Sequence, residues 1–93
     1  MTSWLVEGYA PISTDLTEVQ ERAREAASGL TLAGTPVRYV RTIFVREDET
    51  CFHVFEAASE GAVRRAASRA ALPYERIVEA FEGSSAEPRE VRE

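Results

Sequence analysis

Residues 37–56 read VRYVRTIFVREDETCFHVFE, two alternating runs on either side of Glu47-Asp48-Glu49. β-Branched and aromatic residues recur in both runs, and successive side chains of a strand point to opposite faces. The stretch predicts a β-hairpin with strands Val37–Val45 and Cys51–Glu56. Residues directly opposite each other across an antiparallel pair share a face. Centring the turn on Asp48 pairs Val45 with Cys51, Ile43 with His53 and Arg41 with Phe55, which requires a loop with an odd number of residues. The loop has no glycine, so Asp48 is the residue expected to turn left-handed.

On either side of the hairpin the period changes from strand to helix and back to strand. Upstream, Trp4–Tyr9 reads as a strand, and Asp15 with Glu18 three residues on resembles a capping box. Leu16, Val19, Ala23, Ala26, Ala27 and Leu30 then follow helical spacing, with Gly29 placed to end the helix. Glu18–Arg22 reads as an (i, i+4) pair on the wet side. Downstream, Ser59 is a candidate N-cap, and Val63, Ala66, Ala67, Ala70 and Ala71 make one helical stripe that stops before Pro73. Ile77–Glu82 reads as the last strand. A hairpin between two helices, flanked by two more strands, is the ferredoxin-like βαββαβ arrangement. The fold class expected is α+β: a four-stranded antiparallel sheet of order 4-1-3-2 with both helices on one face. Residues 1–82 form one domain in this reading, and 83–93 a flexible polar tail.

One parity rule applied to all four strands assigns the faces. Even-numbered Trp4, Val6, Val40, Phe44, Phe52, Val54 and Val78 are expected beneath the helices. Odd-numbered Leu5, Val37, Ile43, Val45, Phe55, Ile77 and Phe81 then share the uncovered face with Glu7, Tyr9, Tyr39, Arg41, Cys51, His53 and Glu79. So apolar a patch calls for a cover. A second copy stacked sheet on sheet supplies one, giving a two-fold α+β barrel dimer with a pocket between the sheets.

Composition narrows the function classes. A net charge of −5 argues against nucleic acid as a partner. No apolar run approaches the about 20 residues of a membrane span, and no secretory signal is visible, so the cytoplasm is the expected location. The one cysteine makes no internal disulfide and belongs to no CxxC knuckle. There is no P-loop, GxGxxG, GxSxG or HExxH. Arg64, Arg65 and Arg69 form a basic strip that reads as a solvated helix face.

On the mixed face the order 4-1-3-2 makes Glu7 and His53 neighbours, with Glu79 and Arg41 flanking. A histidine and a carboxylate in a half-dry space can do general acid/base work. His53 would move a proton, Glu7 would orient it, and Arg41 would stabilise an oxyanion. Cys51, His53 and Glu7 are equally a candidate ligand set for nickel or another divalent transition metal. Tyr9, Tyr39, Phe55 and Glu79 would line the pocket. Each group also has a structural reading: a satisfied core histidine, a small buried thiol, and interface ion pairs among Glu7, Arg41 and Glu79.

Val37–Ala57, with Ala62-Val63-Arg64 and Ala71-Leu72-Pro73-Tyr74-Glu75-Arg76-Ile77-Val78-Glu79, resembles a family of short ferredoxin-like bacterial proteins of mostly unknown function. That family is typified by an actinobacterial nickel-binding protein that forms a dimer. The resemblance spans roughly residues 4 to 82 and implies the fold and dimerisation. The nickel-binding member carries histidines on its first strand, where this chain has Glu7-Gly8-Tyr9. The two lines of reasoning join in a small homodimeric ligand- or metal-binding protein. The alternative is a cofactor-independent small-molecule enzyme of monooxygenase or cyclase type, with His53 as its acid/base.

Overall fold

A computed structural model describes residues 1–83. Its elements run β1 (Thr2–Tyr9), α1 (Leu16–Leu32), β2 (Val37–Val45), β3 (Thr50–Ala57), α2 (Glu60–Arg69) and β4 (Arg76–Ala80). The four strands form one antiparallel sheet of order β2-β3-β1-β4, the expected order read from the other edge. The fold is ferredoxin-like α+β. The expected tail at 83–93 lies, Gly83 apart, outside the described residues. Among the described residues no helix is long and apolar enough to cross a membrane.

Both helices start on the caps their sequences offer. Asp15 Oδ1 accepts from the Glu18 backbone N–H at 3.2 Å, and Ser59 Oγ from that of Ala62 at 3.3 Å. Each satisfies one orphan donor of a first helical turn. Helix α1 does not stop at Gly29. It continues to Leu32, and Gly34 supplies the left-handed residue at φ 101°. Gly29 instead lies under the Arg69 guanidinium, which would have to shift to admit a Cβ there. Helix α2 ends with Ala71 left-handed at φ 57°, the Leu72 N–H donating to Ala67 O and the Ala71 N–H to Ser68 O. Those two bonds are a Schellman motif, and they turn Leu72 into the core.

The core lies between the helices and one face of the sheet. Ala23, Ala26, Ala27 and Leu30 of α1 and Val63, Ala66 and Ala67 of α2 pack against Val6, Val37, Phe55 and Ala57. Small helix residues let both helices approach closely, and Phe55, fully buried, supplies bulk.

The faces differ from the single parity rule. β1 obeys it: Trp4 and Val6 lie under the helices. β3 is reversed, because the hairpin loop is Arg46, Glu47, Asp48 and Glu49, an even number, with Val45 opposite Thr50. Glu49, not Asp48, is the left-handed residue, at φ 48°. The pairs are therefore Phe44 with Cys51, Ile43 with Phe52 and Thr42 with His53. The register shifts between Tyr39 and Arg41, a bulge at Val40 that puts both Tyr39 and Thr42 on the helix side. β4 is also reversed, with Ile77 opposite Val6 and Val78 opposite Leu5. So Phe52, Val54 and Val78 face away from the helices, while Val37, Tyr39, Phe55 and Ile77 lie beneath them.

Candidate functional site

Reversal of β3 separates the residues expected to act together. Glu7 pairs with Phe52 on the open face, and His53 pairs with Val6 on the helix face. Glu7 accepts from Arg76 Nε at 2.7 Å. Arg41 lies on the open face and reaches Glu82 at 2.9 Å. Glu79 sits opposite Trp4 at the far end of the sheet and is exposed. Phe55 is closed into the core, edge-on to Tyr39 at 5.6 Å between ring centroids. That strand phase overturns the grouping of His53 with Glu7 and Arg41 for acid/base work, and takes Glu7 out of the metal set with Cys51 and His53. Among the described residues a hollow opens instead on the helix side of the sheet.

What the structure does bring together is on the other side. Cys51 and His53, two residues apart on β3, both face the helices, 2% exposed each. They form part of the wall of a pocket of about 280 Å³. The end of β1 contributes Tyr9 and Ala10, the first turns of α1 contribute Asp15, Glu18 and Arg22, and the link from α2 to β4 contributes Ala71, Leu72 and Pro73. Gly8 lets that link close down: a Cβ there would collide with the carbonyl oxygen of Pro73.

Arg22 is held from two sides. Its Nε donates to Ala70 O at 2.9 Å, at the C-terminal end of α2, and Glu18 lies 3.4 Å from its Nη1. A cation at a helix C-terminus is favourable. The His53 ring is held by β2: its Nδ1 is 2.9 Å from Thr42 Oγ1, which is 2.7 Å from the Tyr39 hydroxyl. Among the described residues Nε2 has no hydrogen-bond partner. Burial pushes the imidazole down to about 4, and the nearby Arg22 charge pushes the same way. Burial raises the Cys51 thiol. At neutral pH the site thus presents a neutral imidazole and a protonated thiol.

Sequence reasoning missed Thr42, Arg22 and the link at Ala71–Pro73. Asp15, Glu18 and Arg22 were legible as a cap and a surface pair, not as one rim. The signal that could have found them is topological: α1 begins only a few residues after β1, so its first turns must lie over that strand's end.

A neutral, buried imidazole nitrogen without a partner, beside a thiol on the same strand face, fits a soft divalent ion as two of its donors. A closed shell is not formed: among the described residues no three His, Cys, Asp or Glu side chains converge on one point. The carboxylates of Asp15 and Glu18 share the pocket and give its mouth a negative balance against Arg22. The family described as "Nickel responsive protein SCO4226-like" matches residues 5–80, a span that reaches into every strand and includes both helices. No curated protein and no solved structure matches the chain.

Proposed function

The chain belongs to the SCO4226-like family of nickel-responsive proteins, and from that premise we propose that it is a small metal-binding protein using the helix-side pocket. Cys51 and His53 would hold a divalent transition metal, nickel in the first place, and water or a small co-ligand would complete its shell. The observation that carries this reading is the buried His53 Nε2, which no group among the described residues satisfies, beside the Cys51 thiol. A ligating imidazole must be neutral, and burial already keeps this one so. Asp15 and Glu18 at the mouth favour entry of a cation.

Calorimetric titration of nickel and zinc into the purified protein tests the reading. Wild type is expected to take up one ion per chain, and the double variant Cys51→Ser, His53→Ala none. Equal heats from the two proteins overturn it.

We also propose that a second copy covers the open face of the sheet. Leu5, Val54 and Val78 lie side by side across three strands, with Phe52, Ile43 and Val45 adjoining. Ion pairs Arg38–Glu56, Arg76–Glu7 and Arg41–Glu82 surround this apolar band. An apolar centre with a charged rim is the anatomy of a protein interface.

A further inference from the structure

The His53 ring is suspended from two hydroxyls that no sequence motif marks. Thr42 stands directly opposite it on β2, with Oγ1 2.9 Å from Nδ1. Tyr39 follows at 2.7 Å. Tyr39 and Thr42 are three positions apart and would face opposite sides of a regular strand. The bulge at Val40 brings both to the helix side. Bulges of this kind re-aim side chains, and here the result is a continuous relay, imidazole to threonine to phenol.

Such a relay can run in two senses. In one, Tyr39 donates to Thr42, Thr42 donates to Nδ1, and an N–H at Nε2 is left in the pocket. In the other, Nδ1–H donates to Thr42, Thr42 donates to the Tyr39 oxygen, and Nε2 presents a lone pair. The two senses are not equivalent at their ends. The first leaves a buried N–H with no acceptor among the described residues, in a pocket whose lining includes Arg22. An orphaned buried N–H is rarer and costlier than an under-used acceptor. The second asks only that Tyr39, half-buried on an edge strand, give its proton to solvent.

We infer that Thr42 is the positioning residue of this site: it accepts the Nδ1–H of His53 and so fixes the tautomer that turns the Nε2 lone pair into the pocket. The inference deepens the metal-binding reading and rests on it for its purpose, since a metal-ligating histidine commonly anchors its other ring N–H on a neighbouring acceptor. The tautomer itself is measurable without any metal.

The chain has one histidine, so the ring nitrogens of ¹⁵N-labelled, metal-free protein can be read without ambiguity in long-range ¹H–¹⁵N spectra. Wild type is expected to show the proton on Nδ1. Thr42→Val keeps the shape and removes the acceptor. It is expected to move the proton to Nε2 and to weaken nickel binding about fivefold to tenfold, the worth of one hydrogen bond. Thr42→Ser, which restores the hydroxyl, is expected to restore both. A wild-type proton on Nε2, or a proton unmoved in Thr42→Val, overturns the inference. A wild-type protein with the expected tautomer but no nickel uptake upholds the positioning role and removes the metal-binding reading instead.

Discussion

At the scale of single residues, His53 couples the site to stability. Its ring is buried and neutral, and it resists protonation until about pH 4, against an ordinary value of 6.5. Between those values the unfolded chain binds a proton that the folded chain refuses. Stability therefore falls as pH drops through the window, and nothing is lost above it. The full shift corresponds to about 3 kcal/mol. Urea titrations at stepped pH are expected to show that loss in wild type beyond the loss in His53→Gln, which has no group to titrate. Parallel curves for the two proteins would mean that the ring is not desolvated in solution. Arg22 contributes the second, smaller push on the same ring. Removing its charge would narrow the window without closing it, because burial is the larger cause.

At the scale of elements, local signals were legible and relative phase was not. Asp15 and Ser59 cap the helices as their sequences suggest, because a cap is decided within a few residues. The strand order also emerged from the order of elements alone. Facing is different in kind. One residue more or fewer in the Arg46–Glu49 loop inverts every side chain of β3, and β3 carries apolar groups at both parities, Phe52 and Val54 against Cys51, Phe55 and Ala57. With both faces of the strand half apolar, alternation could not choose between them, and the site went to the wrong side with it. The bulge at Val40 left no mark either, having no glycine to announce it. The end of α2 shows the same gap on a smaller scale. Ala71 occupies the left-handed position of a Schellman motif at φ 57°, where glycine is unstrained. Ala71→Gly is expected to stabilise the fold by about 1 kcal/mol, read as a Tm higher by roughly 4–8 °C. An unchanged or lower Tm would show that the pocket wall at Ala71 depends on its methyl group more than on relief of the backbone.

For the whole molecule, the decisive asymmetry is between the two faces of one thin sheet. The helix face is closed, and it holds the core and the pocket. The open face keeps Leu5, Phe52 and Val78 half-buried around Val54, which the monomer already buries, and Ile43 stands 50% exposed beside them. Burying such a band against its twin removes apolar surface from water at about 25 cal/mol per Å², and two-fold symmetry would set each apolar band against the other. Because Cys51 and His53 lie on the opposite side of the sheet, the proposed dimerisation and the proposed metal uptake would act through separate surfaces and can be tested separately. Ile43→Glu puts a charge in the proposed interface at a position the monomer leaves half in water, so the fold should survive. Sedimentation equilibrium is expected to show a dimer for wild type and at least about tenfold weaker association for Ile43→Glu, an energy of about 1.4 kcal/mol. Nickel uptake per chain is expected to be the same in both. A monomeric wild type would remove the second copy as the cover. A dimer that survives Ile43→Glu would move the interface to another surface, and lost nickel uptake in a folded monomer would show that the two faces are coupled after all.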